Sequence, residues 1–109
     1  MNELMERVGG DKPIILEVWR AFLEDAPVRM QVLKDAITSN LVQEAEREAH
    51  TLKGMAANIG APILKQEAMK MELATKKVDL TDANLMYESL HYEYMRVIDE
   101  LERFISTEF

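Results

Sequence analysis

The run Ala49-His50-Thr51-Leu52-Lys53-Gly54-Met55-Ala56-Ala57-Asn58-Ile59-Gly60-Ala61 reads as the second half of an amphipathic helix that stops at Gly60. Leu41, Ala45, Ala49, Leu52, Ala56 and Ile59 step by 4, 4, 3, 4 and 3. That near-heptad spacing marks a helix facing a core. His50 stands one residue off the stripe, at the border of core and water. Lys53 and Gly54 lie one turn on and share its face. A glycine inside a helix costs roughly 1 kcal/mol relative to alanine, and close approach of another surface is the usual reason to keep one. Ala57, a further turn along, is also small. The face beside His50 is therefore cut back, and the imidazole stands proud of it.

The residues after this run set a second helix against the first. Gly60 closes one helix and Pro62 opens the next, a tight helix-to-helix turn. The second helix is expected from about Pro62 to Lys77, with Leu64, Ala68, Met71 and Thr75 as its stripe. With the turn centred on Ala61, antiparallel helices pair positions whose numbers sum to about 122, so Glu72 falls opposite His50, roughly 16 Å down each helix. A carboxylate there would accept a hydrogen bond from one ring nitrogen and leave the other free. Spacing alone leaves open whether Glu72 meets the ring or faces water.

Working outward, Asn2–Val8 reads as a short helix ended by Gly9-Gly10, with Asp11 as the next N-cap and Pro13 in the first turn. A long amphipathic segment follows, with Ile15, Trp19, Phe22, Ala26, Met30, Leu33 and Ile37 on one face. Pro27 interrupts it, and an interior proline removes a hydrogen bond and clashes one turn back. A kink near Leu23–Pro27, or two abutting helices, is expected. Thr38-Ser39-Asn40 is a turn, and the central helix spans about Leu41–Ile59. Val78–Asp82 is a connector. The last helix is expected over about Ala83–Ile105, with Tyr87, Leu90, Tyr94, Val97, Leu101 and Phe104 facing inward. No stretch alternates as a strand would. The fold class is all-α: an antiparallel up-down four-helix bundle with a short extra N-terminal helix, a single domain over 1–109.

Composition narrows the function. The 109 residues carry a formal net charge of −7, with 48 % hydrophobic, 30 % charged and 6 % aromatic residues. That balance suits a soluble helical domain and speaks against nucleic acid and anionic membranes, both of which select basic surfaces. There is no cysteine, hence no disulfide framework and no thiolate metal site. No apolar run approaches the roughly 20 residues of a membrane span, and the N-terminus lacks a signal pattern. A cytoplasmic setting is expected.

The usual chemical motifs are missing. There is no phosphate-binding glycine loop and no nucleophile elbow; of the two histidines only His91 follows a glutamate (Glu88) by three, so the paired Glu-x-x-His motifs of a bundle-core metal site are missing. No metal or cofactor of its own is expected. His91, beside Leu90 and among tyrosines, reads as a boundary histidine without a chemical role. The carboxylates are scattered over solvent faces and most of the charge runs, Asp99, Glu100 and Glu102 among them, read as solvated surface. His50 differs by its surroundings. A transferred phosphoryl group spreads charge over its oxygens, and a positioned cation such as Lys53 would stabilise it.

The pattern His50-x-x-Lys53-Gly54-x-x-x-x-x-Gly60-Ala61 resembles the signature of histidine-containing phosphotransfer (HPt) domains. The likeness extends over nearly the whole chain. Leu4–Gly10 is similar to the family's short leading helix, Phe22-Leu23-Glu24-Asp25-Ala26-Pro27 to a segment of its long helix, and Leu64, Ala68, Met71 and Glu72 to the pattern after the hairpin. The resemblance implies a phosphorelay intermediate: an imidazole that takes a phosphoryl group from an aspartyl-phosphate on a receiver domain and passes it to another. Carried over, His50 would be the phosphoacceptor, Lys53 the cation near the phosphoryl group, Gly54 the gap that admits the receiver, and Glu72 the partner of the ring. Met55 departs from the small polar residue common at its place, and a packing difference alone is expected from it.

The docking surface implied is the strip Arg47, His50, Lys53, Gly54 and Ala57, with Lys65, Met69 and Glu72 contributing. Partners would be response-regulator receiver domains, which bring their own Asp and Mg²⁺, and, as a second class, a sensor histidine kinase. No autonomous kinase activity is expected, since no ATP-binding segment is present. The alternative is a non-catalytic helical interaction module on the same bundle. A self-associating bundle is a third reading, with Ile14, Leu16, Val18, Leu23 and Ile98 as its apolar patch; a monomer is expected instead.

Overall fold

The long apolar stripe of the first segment folds as one helix, α1, over Lys12–Thr38 in the computed structural model, which describes residues 12–77 and 80–108. Three more follow: α2 over Val42–Ile59, α3 over Pro62–Thr75 and α4 over Ala83–Glu108. Among the described residues there is no strand. The leading helix expected over Asn2–Val8, its Gly9-Gly10 stop and the Asp11 cap lie outside the described residues, as do Val78 and Asp79.

All seven stripe residues of α1, from Ile15 to Ile37, are buried. The stripe runs through Pro27 without a break, with Ala26 before it and Met30 after it both in the core. Pro27 itself is exposed, so its ring faces solvent. The expectation of two abutting helices therefore fails: α1 is continuous, because burial on both sides of the proline outweighs one lost hydrogen bond.

Two turns of one design join α1 to α2 and α2 to α3. In the second, Gly60 adopts φ 74°, its N–H donates to the Ala57 carbonyl at 3.2 Å, and the Ala61 N–H reaches back to Ala56 at 2.9 Å. In the first, Asn40 adopts φ 58°, donating to Ile37 at 3.2 Å, while Leu41 N–H reaches Ala36 at 2.8 Å. Each satisfies the carbonyls a helix end leaves open. Glycine enters the left-handed region freely, and asparagine is among the few other residues that do so routinely. Leu41, expected on the buried stripe, is 50 % exposed. It is the residue just before α2, at φ −92° and ψ 83°, and that non-helical backbone takes it off the helix face. Pro62 opens α3 as expected, but α3 ends at Thr75 rather than Lys77, and α4 extends three residues past Ile105.

Each helix packs on its sequence neighbours, most extensively α2 on α3, and α1 also touches α4. Trp19 of α1 meets Phe104 of α4 edge-on at 5.3 Å, and the Tyr87 hydroxyl donates to the Met30 carbonyl at 3.4 Å. Val18, Leu23 and Ile98 are half-buried against this core and Leu16 is half-buried, which leaves Ile14 as the exposed member of that apolar set.

Not every carboxylate is solvated. Glu48 is buried on α2, where Arg29 Nη1 donates to both its oxygens, at 2.7 and 3.0 Å. Glu93 is buried against the fork of Arg96, at 2.9 and 2.7 Å. An arginine supplies two donors to a carboxylate and so offsets much of the cost of taking it from water. The turn at Gly60 carries a prediction. Gly60→Ala places a Cβ at φ 74° and should destabilise the fold by about 1–2 kcal/mol; urea unfolding checks it, and an unchanged midpoint would contradict the assigned backbone role.

Candidate functional site

The α2–α3 hairpin is the element that builds the site. Its turn sets the register, and the stripes Ala49, Leu52, Ala56 on α2 and Leu64, Ala68, Met71 on α3 lock it, all of them at most 1 % exposed. This places His50 across from Glu72. His50 Nδ1 lies 2.8 Å from Glu72 Oε2, with the imidazole side chain 66 % exposed. Lys53 Nζ donates to Glu72 Oε1, also at 2.8 Å. One carboxylate thus serves two groups of α2, one oxygen each. Glu72 is 8 % exposed, so it belongs to the helix interface and not to the outer border.

The charge state follows from these contacts. The Lys53 ammonium holds the Glu72 carboxyl below the usual carboxylate range; burial pushes the other way, and the hydrogen bond from His50 adds to the lowering. An ionised carboxylate offers only acceptors. In the neutral ring, Nδ1 must then carry the proton and donate to Oε2. The lone pair is left on Nε2 of a largely exposed ring.

Gly54 is exposed, and a Cβ added there would meet nothing of the chain's own within 4 Å. No internal packing requires this glycine. Next to it, Met55 and, one turn on, Asn58 line an open groove of about 240 Å³ together with Val18, Ala21, Phe22, Asp25 and Ile59. Met55 is half-buried and packs on the core.

The sequence-derived residues divide into two groups. His50, Lys53 and Glu72 are brought into direct contact. Arg47, Lys65 and Met69 are exposed and Ala57 is half-buried; among the described residues no ion pair ties Arg47 or Lys65 to Glu72. Arg47 and Gly54 flank His50 one turn either side on α2, and Lys65 and Met69 sit on the α3 side of the hairpin. Sequence reasoning did not pair Lys53 with Glu72, although their numbers fall within one turn of the hairpin sum used for His50. It also missed the Val18–Phe22 side of the groove. His91 is exposed and stacks on Tyr87 at 5.8 Å and against Tyr94 at 5.9 Å, contacts that give it no ionic partner. Among the described residues, no three or more His, Cys, Asp or Glu side chains converge as a metal site would require, and no helix is long and apolar enough to cross a membrane.

Comparison with known proteins adds family evidence. Residues 17–106 match the family model described as Hpt domain. The fold is similar to the crystal structure of histidine-containing phosphotransfer protein B (HptB) from Pseudomonas aeruginosa PAO1, with a TM-score of 0.83 and 22 % identity, covering 97 % of this chain and 90 % of that one. No curated protein matches.

Two predictions follow from the geometry. Gly54→Ala should stabilise the fold by about 0.5–1 kcal/mol, opposite in sign to Gly60→Ala, because it gains helix propensity into open space; a lowered thermal midpoint would contradict this. Glu72 has a depressed native pKa, so its ionised form contributes stability that is full above the unfolded glutamate value of about 4.3 and is lost as pH falls through the native value. The stability gap between wild type and Glu72→Gln should shrink as pH falls below about 5. A gap that widens in acid would reverse the sign of the assignment.

Proposed function

Because the chain belongs to the Hpt domain family, the phosphotransfer intermediates of phosphorelay signalling, we propose that His50 is the residue that carries the phosphoryl group. The observation that supports this is the exposed ring with Nδ1 held 2.8 Å from the ionised carboxylate of Glu72. The Nε2 lone pair attacks phosphorus of a receiver's aspartyl-phosphate. The bond from phosphorus to the aspartyl oxygen breaks, and its electron pair returns to the receiver's carboxylate. The phosphorylated ring gains positive charge shared with Nδ1–H, which faces the Glu72 anion, so no proton has to leave. The reverse step hands the group to a second receiver.

The remaining assignments belong to the same reading. Arg47, Gly54, Ala57, Lys65 and Met69 form the docking strip, and the groove beside Gly54 extends it with apolar surface. The open space at Gly54 is what a partner's approach would use. The Mg²⁺ expected in the reaction is the receiver's own. A sensor histidine kinase is a second class of partner. The chain acts as a monomer in the cytoplasm, as one domain over 1–109. The four helices form an antiparallel up-down bundle, supported by the tight turns and neighbour packing.

The test is transfer from a phosphorylated receiver. Wild type should acquire acid-labile phosphate, and His50→Ala should fall to background while His91→Ala labels normally. Gly54→Leu should slow transfer about tenfold or more, a docking loss of roughly 1.4 kcal/mol, with helicity retained. Undiminished labelling of His50→Ala would overturn the assignment.

A further inference from the structure

We infer that Lys53 acts on His50 through Glu72, as a positioning residue that fixes the ring tautomer. This deepens the phosphorelay reading and rests on it for its consequence in transfer; the effect on the ring stands apart from it.

Lys53 is held by geometry. Its ammonium sits 2.8 Å from Glu72 Oε1, and its side chain is 27 % exposed. The carboxylate is planar, so anchoring Oε1 fixes where Oε2 points. That point is Nδ1 of His50, 2.8 Å away. The two contacts come from one helix face, His50 and Lys53 being one turn apart on α2, while Glu72 comes from α3. Among the described residues no other side-chain cation is bonded to Glu72.

The consequence is one of proton placement. Left alone, a neutral histidine side chain favours the proton on Nε2. That tautomer would present an N–H where a nucleophile is needed, and would turn the Nδ1 lone pair toward an anion. A fixed, ionised Oε2 reverses the preference, since it accepts and cannot donate. Removing Lys53 undoes this in two ways. A carboxylate only 8 % exposed loses its ionic partner, and burial then favours either rotation toward water or the protonated acid. A protonated Glu72 would donate to Nδ1 and drive the ring into the unproductive tautomer. Lys53 and Glu72 are therefore a unit, and their removal should not be additive.

The experiment is ¹⁵N NMR of the ring nitrogens of His50 in the full, unphosphorylated chain at about pH 8.5, where an ordinary imidazole is neutral. The variants are Lys53→Met, Lys53→Arg, Glu72→Met and the Lys53→Met/Glu72→Met pair, each checked for helicity by circular dichroism. Wild type should show the proton chiefly on Nδ1. Lys53→Met and Glu72→Met should each shift population to Nε2–H, and the double variant should match Glu72→Met alone. Lys53→Arg should restore most of the wild-type distribution. Transfer rates from a phosphorylated receiver should follow: severalfold slower for Lys53→Met in the wild-type background, unchanged by it in the Glu72→Met background. Unaltered ring shifts in folded Lys53→Met, or an equal slowing in both backgrounds, would overturn the inference and make Lys53 a direct contact of the transferred group. A tautomer shift without any labelling of His50 would sustain the inference and strike the phosphorelay reading alone.

Discussion

The shared carboxylate of Glu72 is the interaction on which the rest of this site depends. A charge that is 8 % exposed is costly to desolvate, and a helical hairpin has few ways to offset it. Here the offset comes from both sides of one anion, with the ammonium of Lys53 on Oε1 and the imidazole of His50 on Oε2. The arrangement needs α2 and α3 in a single register. A slip of one residue would rotate Glu72 by about 100° around α3, away from both partners. The turn at Gly60 and the apolar stripes on either side of the hairpin are what prevent that slip. The helices α1 and α4 contribute no atom to the triad; they pack on α2 and α3 and bury the other face of the hairpin.

Two glycines in the same helix region do opposite work. Gly60 is needed for its backbone, at a φ that L side chains resist. Gly54 has no such need and no neighbour to avoid. It lowers the helix's own stability and opens a space beside an exposed imidazole, with an apolar groove alongside. Giving up helix propensity at a solvent-facing position beside an exposed imidazole leaves room for a second surface. On the proposed reading such a site is half of a reaction centre, with the acceptor nitrogen here and the donor chemistry on the partner.

Most of the architecture was legible from periodicity. The α1 stripe from Ile15 to Ile37 and the α4 residues Leu90, Tyr94, Val97 and Leu101 are buried as their spacing required. Glu72 could be placed opposite His50 because hairpin register is simple geometry once Gly60 and Pro62 mark the turn. Whether it met the ring was not legible, since spacing fixes position and not side-chain direction. The Lys53 partner was missed for a related reason: a lysine has reach enough for several partners, and pattern does not choose among them. Glu48 is buried against Arg29 of another helix, a tertiary pairing that pattern does not give, whereas Glu93 is buried against Arg96 three residues on in its own helix. At Pro27 a kinked single helix and two abutting helices were both open, because local propensity argues for a break while burial on both sides argues against it; the single helix is what forms. Leu41 left its stripe because backbone conformation at a helix entry overrides periodicity.

The central claim is that a phosphoryl group resides on Nε2 of His50, with Nδ1–H turned to Glu72. The most direct measurement is ³¹P–¹⁵N NMR on the phosphorylated chain carrying ¹⁵N-labelled histidine. The account predicts one-bond coupling from phosphorus to Nε2 of His50, with a protonated Nδ1 in the same ring. Phosphorus coupled to Nδ1, or located on His91, would contradict it.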